Sequence, residues 1–177
     1  MLKRLVVAIA LSCIVYGCST SQYGSSEQGD RGTAPIIMGY YAAEVIRPGA
    51  TWRIYLHAKD EDGDMRDIAC VLEQRGHTSY PTSVTRLGTK QGEEVAGYLF
   101  LRTPVDSNLT KDSFTMKVLV RDRQGNRSEP LELPLRFAYE PMEETPEKWK
   151  EMAERSLGSI QVEVKSSIVR SRTRRTP

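Results

Sequence analysis

Phe114, Met116, Val118 and Val120 stand at every second position of one run, with mostly polar residues between them. That spacing is the period of a β-strand, whose successive side chains point to opposite faces of a sheet. A helix cannot bring the four onto one stripe. Trp52, Ile54, Leu56 and Ala58 alternate in the same way with Arg53, Tyr55, His57 and Lys59, and the pattern returns at Ile68, Cys70, Leu72 and at Leu131, Leu133, Leu135, Phe137. Each such run has one face to bury, and only another layer can bury it.

The runs are punctuated by turn chemistry. Pro35 to Val45 reads as one strand or a broken pair, stopped by Arg47-Pro48-Gly49. Asp60-Glu61-Asp62-Gly63-Asp64 turns the chain between Thr51–Lys59 and the Ile68 strand, which predicts a hairpin. Glu73 to Gly92 is irregular, with room for a short edge strand at Ser83 to Leu87. Val95 to Arg102 is a strand, Pro104 to Lys111 a connection, and Gly125-Asn126 the tip of a turn over Asp122 to Arg127. Pro130 and Pro134 cannot donate to a ladder, so the last strand belongs at an edge or carries a bulge. About seven short strands within residues 34–140, without a helix, predict an all-β fold, a Greek-key sandwich.

Two phrases carry a family likeness. Ala58-Lys59-Asp60-Glu61-Asp62-Gly63-Asp64 is similar to the A-x-D-x-D-G-D of cadherin- and PKD-like modules, and Val120-Arg121-Asp122 with Gly125-Asn126-Arg127-Ser128 fits the same pattern. From Ala34 to Tyr139 the chain resembles immunoglobulin-like and fibronectin-III-like domains of bacterial envelope proteins. It lacks the inter-sheet cysteine pair and third-strand Trp of antibody-type domains. The resemblance implies a fold more than a role.

The N-terminus has a different grammar. Met1-Leu2-Lys3-Arg4 is a positive n-region, Leu5 to Val15 an apolar h-region, and Val15-Tyr16-Gly17-Cys18 places a thiol after a small residue. As a helix, Leu5 to Gly17 is about 20 Å long, short of a hydrocarbon core of about 30 Å. The segment resembles the lipobox of bacterial lipoproteins, although Val15 and Tyr16 stand where Leu and a small residue are usual. The resemblance implies a signal over 1–17, cleavage before Cys18, and lipidation of Cys18, so that the chain hangs from a membrane; a plain secretory signal and an uncleaved anchor are the alternatives. A start at Cys13 leaves too short an apolar core. Ser19, where Asp is the usual inner-membrane retention mark, favours the outer membrane, with the chain facing the periplasm or the cell surface. Residues 18–33 are rich in Ser, Gly and Gln and read as a disordered tether of about 20 Å mean reach.

Without residues 1–17 the chain has 23 basic and 23 acidic side chains. They are segregated: Lys165, Arg170, Arg172, Arg174 and Arg175 follow the last acid, Glu163. The basic tail, 165–177, reads as disordered, either simply solvated or drawn to an anionic surface, with Arg170, Arg172, Arg174 and Arg175 as contacts worth about 1 kcal/mol each near a charged membrane. An extracytoplasmic address excludes nucleic acid as its partner. Within 141–164, Thr145-Pro146 caps a short helix carrying Trp149, Met152, Ala153 and Leu157 on one face, ended by Gly158. That face packs on the sandwich or on a partner, with Trp149 as the contact residue. Ile160, Val162 and Val164 have the spacing of an added strand.

Asp60, Asp62 and Asp64, with Asp122 from a turn at the same pole, offer hard oxygen ligands for Ca²⁺. Val71 stands where an EF-hand needs its Glu, and Asp-Gly sequences make tight turns without any metal. Cys70 lies in an apolar run that hides and deactivates a thiol. His57 belongs to the solvent-facing set of its strand and His77 to a loop, so neither is positioned to activate it. No phosphate loop, zinc spacing, G-x-S-x-G or H-E-x-x-H occurs. These features predict a non-enzymatic, lipid-anchored envelope subunit that binds a protein partner through a sheet edge, the acidic pole or the Trp149 helix. The alternative is a Ca²⁺ or glycan module at that pole, with Tyr80 and Tyr98 available for stacking. Apart from that Ca²⁺, no cofactor is expected.

Overall fold

The computed structural model describes residues 32–76 and 79–168. The expectations for the signal segment, Cys18, most of the tether, His77, Arg170, Arg172, Arg174 and Arg175 lie outside them. The described chain forms nine strands in two sheets. β1 (Ile36–Ala42), β3 (Thr51–Lys59), β6 (Glu94–Arg102) and β9 (Ser156–Ser159) lie side by side in that order in one sheet. The other has the order β2 (Val45–Ile46), β8 (Leu131–Phe137), β7 (Ser113–Asp122), β4 (Met65–Gln74) and β5 (Ser83–Arg86). This is a Greek-key, Ig-like sandwich.

The alternating residues meet where their period requires. Ile54, Leu56, Leu99 and Leu101 from the first sheet pack with Ile68, Cys70, Leu72, Met116, Val118 and Leu135 from the second, all nearly inaccessible. The broken strand over Pro35 to Val45 changes sheets: β1 pairs antiparallel with β3, whereas β2 pairs parallel with β8. Trp52 Nε1 pins the crossing by donating to the Ala43 carbonyl at 2.7 Å. Pro134 sits on β8, which only β2 borders on that side, and β2 reaches no further than Arg136 and Phe137. Its missing N–H is therefore harmless.

The expected hairpin between β3 and β4 does not form. Each strand buries one alternating face, a demand met equally by pairing within a sheet and by stacking across two. The Asp60 to Asp64 turn is an arch between sheets, held by Asp60 N to Glu93 O at 2.9 Å and Met65 N to Gly92 O at 3.1 Å.

The C-terminal segment also departs from expectation. α1 is a single turn, Glu147–Lys150, with Pro146 rather than Thr145 as its cap. Residues beyond it close four-residue turns, Met152 N to Trp149 O and Arg155 N to Met152 O. Leu157 and Gly158 belong to β9, which pairs parallel with β6. A Cβ on Gly97 would stand 2.4 Å from the Arg155 carbonyl, so the backbone contact that seats β9 needs that glycine. The added strand thus lies earlier than Ile160, Val162 and Val164, which follow as an extended closure of the core. Gln161 N donates to Ser83 Oγ at 2.8 Å, and Lys165 N donates to Tyr80 Oη at 3.0 Å. Lys165 and Ser166 are therefore domain residues, not the start of the tail.

The two ends of the described chain leave at opposite poles. Thr33 N donates to Asp62 Oδ2 at the pole where β7 ends. Ser167 N donates to Asp112 Oδ2 at 3.0 Å, beside the residue that starts β7.

Candidate functional site

The acidic pole assembles largely as the sequence predicts. Met65 is opposite Asp122, and Arg123 N donates to Asp64 O at 3.1 Å, so the two turns are adjacent. The Asp60 and Asp122 carboxylates serve the turns themselves, whereas Asp62 accepts from the entering Thr33 and Asp64 Oδ1 is buried without a hydrogen-bond partner among the described residues. Asp60 is buried and accepts from the amides of Asp62 and Asp64, both at 3.3 Å. Asp122 accepts Asn126 N and Asn126 Nδ2, both at 2.7 Å. Burial, and the Asp64 carboxyl beside it, hold Asp60 above the usual carboxylate range. That environment disfavours the ionised form a hard cation needs. Among the described residues, no three His, Cys, Asp or Glu side chains are grouped to hold a metal ion. The arrangement is that of hydrogen-bonded Asx turns.

Cys70 is buried, and that burial pushes its thiol up to about 12. His57 lies on the opposite face of its strand from the core and bonds Glu94 Oε1 at 2.6 Å. That bond, with Lys59 nearby, holds the Glu94 carboxyl below its usual range. Neither the thiol nor the imidazole is arranged as a nucleophile with its base.

Trp149, expected as a partner contact, is buried against the protein's own first sheet. Its ring lies 6.2 Å from that of Tyr55, and a Cβ on Gly39 would touch it at 3.4 Å. By its parity Tyr55 belongs on the solvent side; the segment between β8 and β9 straps across that face and buries it. Tyr41 Oη anchors the strap by donating to Glu144 O at 3.3 Å. The expected stacking platform does not appear at the pole. Tyr80 is buried, and Arg53 stands over the Tyr98 ring at 5.0 Å.

What remains open is the edge of β1. Among the described residues nothing pairs with its outer side. Its sequence, IIMGYYA, contains no charge and no proline. Ile36, Met38 and Tyr40 are 55%, 59% and 51% exposed. Natural edge strands are normally protected by charges, prolines or bulges. The one bulge here falls at Met38 and presents an apolar side chain.

One buried ion cluster was missed by sequence reading. Asp67, in the second sheet, accepts Arg121 Nε at 2.5 Å and Arg66 Nε at 2.9 Å. Burial raises its pKa, but the two guanidinium groups outweigh burial and leave it lowered. A carboxyl with a depressed folded pKa adds stability above its unfolded value of about 3.9, and loses it as pH falls through the folded value. Asp67→Asn is therefore expected to cost about 2 kcal/mol at pH 7, less than a fully buried pair because both arginines reach solvent. Urea titrations at pH 7, 5 and 3 should show the gap from the natural protein closing on acidification. A gap independent of pH would contradict the assignment.

No protein-family model matches the chain, and no curated protein matches it. Solved structures do. The PKD domain of an M14-like peptidase from a Thermoplasmatales archaeon is similar at 17% identity and a TM-score of 0.39, over 60% of this chain and 97% of that one. A point mutant of the SrpA adhesin from Streptococcus sanguinis is similar at 15% identity and a TM-score of 0.39, over 60% of this chain and 56% of that one. The CARDB domain of a Pyrococcus furiosus protein, solved in complex with di-metal ions, is similar at 16% identity and a TM-score of 0.33, over 59% and 86%. Likenesses this distant carry no argument about role.

Proposed function

We propose that the protein is a non-enzymatic subunit of a bacterial envelope assembly, tethered to a membrane through lipid on Cys18, whose sandwich captures an extended, apolar segment of a protein partner along β1. The observation that carries this reading is the uncharged, unpaired edge of β1 with three apolar side chains more than half exposed. Strand addition supplies affinity through main-chain hydrogen bonds and selects by side chains at alternate positions. A short tether between anchor and domain raises the effective concentration of the edge near a membrane-bound partner.

Ile36→Lys with Met38→Lys places two charges on the edge without touching the core. The lipidated chain carrying both should melt within a few degrees of the natural protein, yet lose at least tenfold in recovery of a stoichiometric companion from solubilised envelopes. In the natural complex, the β1 amides should gain protection from hydrogen exchange. A companion retained undiminished by the double variant would overturn the edge as the binding site. Failure of the chain to incorporate labelled fatty acid at Cys18 would separately overturn the anchor.

A further inference from the structure

The ladder between β4 and β7 slips by one residue next to the acidic pole. Met65 is opposite Asp122 and Asp67 opposite Arg121, so Arg66 is the inserted residue of a bulge. Such a bulge sets two side chains of one strand against one of its neighbour and re-aims them. Here the two are Arg66 and Asp67, and Asp67 takes the Nε atoms of Arg66 and Arg121 on its two oxygens. The row continues on both sides. Arg86 of β5 is opposite Asp67, and Arg127 bridges to Arg121. Directly opposed residues share a face of the sheet with Cβ atoms about 5 Å apart. Arg86, Asp67, Arg121 and Arg127 therefore form one transverse row on the outer face of the second sheet, with Arg66 beside it.

Four guanidinium groups over a single carboxylate are out of balance. Like charges placed directly opposite destabilise a sheet, and among the described residues Arg86 and Arg127 have no acidic partner. Asp67 engages Arg66 and Arg121 through Nε, which fixes both guanidinium planes and leaves their Nη groups for another acceptor. The Arg66 and Arg121 side chains are 37% and 24% exposed, so that acceptor can come from solvent. Planar, pre-oriented forks of this kind match the oxygens of phosphate in pairs.

We propose that this row is a binding site for a phosphate group, supplied either as a free anion or by the headgroup of a lipid. The chain enters the domain at Thr33, beside Asp62 and at the same pole as the row, so an anchor at Cys18 would hold the row within a tether's reach of headgroups. Only the lipid source rests on that anchor. Glu61, Asp62 and Glu93 are exposed at the same pole. They oppose a uniformly anionic surface and favour a phosphate that reaches the row alone.

The test uses the mature full-length chain with Cys18→Ser, so that binding is read without the lipid. The probes are inorganic phosphate, and phosphatidylcholine vesicles with or without phosphatidic acid. Phosphate should raise the melting temperature where chloride at equal ionic strength does not. Arg86→Gln with Arg127→Gln leaves both Asp67 bonds in place and should weaken binding at least tenfold at unchanged stability without ligand. A chain ending at Ile168 separates the row from the basic tail. Row-dependent binding of phosphate alone assigns a free anion, and row-dependent binding of phosphatidic acid vesicles assigns the headgroup. Binding unaffected by the double glutamine variant, binding lost only with the tail, or no binding of either probe overturns the site. The Lys variants of β1 should leave this binding intact, so the site and the partner edge fail independently.

Discussion

Trp52→Ala is expected to destabilise the domain by about 3–5 kcal/mol, a large fraction of the roughly 5–15 kcal/mol that holds an ordinary domain folded. Trp52 is 1% exposed and fills the core at the point where the chain passes from the first sheet to the second. Truncation removes the largest core side chain there and the hydrogen bond from Nε1 to Ala43 O. Losing that bond frees β2, whose hold on β8 includes Arg136 N to Glu44 O at 2.9 Å and Ala138 N to Ile46 O at 3.0 Å. Trp52→Phe keeps most of the volume and should cost about 1–2 kcal/mol, part hydrogen bond and part cavity. Urea unfolding gives the totals. Hydrogen exchange at Arg136 and Ala138 tells whether the crossing loosens first, as this account requires. A cost below 1 kcal/mol for Trp52→Ala would mean that the crossing does not depend on the indole.

Trp149→Ala is the second large effect, about 3 kcal/mol, and its signature is local. The strap between β8 and β9 rests on the first sheet mainly through this one ring, packed on Tyr55 and over Gly39. Without the ring, the strap should open while the two sheets persist. Faster exchange at Tyr98 N, which donates to Arg155 O at 2.9 Å, and proteolytic cleavage within residues 140–155 should precede global unfolding. Trp149→Phe gives the sharper control. The indole N–H is buried without an acceptor among the described residues, so removing it while keeping an aromatic ring is expected to change stability by no more than about 1 kcal/mol. A large loss in the Phe variant would contradict the packing described.

The sequence made the strands legible because alternation is local. Phe114 to Val120 and Trp52 to Ala58 state their own buried face, and the structure buries those residues. Which strands share a sheet is not local: β3 and β4 carry the same pattern whether they pair or stack, and the tight turn between them suits both. The strap was misread for a related reason. Trp149, Met152, Ala153 and Leu157 have helical spacing, but Gly97 lets the Arg155 carbonyl reach β6, and one more strand pairing wins over a helix of marginal length. The acidic turns were brought together as expected, since both phrases lie at strand ends. Asp67 was invisible in a run that otherwise reads as core. Its one clue was a charged residue on the path of an alternating strand next to Arg66, and its partner Arg121, with Arg86 and Arg127 in the same row, emerges only from register. The bulge at Arg66 that creates the row has no signature in composition or periodicity.

The opposite exits of the chain give the domain a head and a foot. The ten residues of β7 run between the two exits, which sets them roughly 30 Å apart. If the foot is tied at Cys18, whatever follows Ile168 starts a full domain length beyond the tether's end. The length of the sandwich along β7 therefore sets the separation between the two points at which the described chain enters and leaves it.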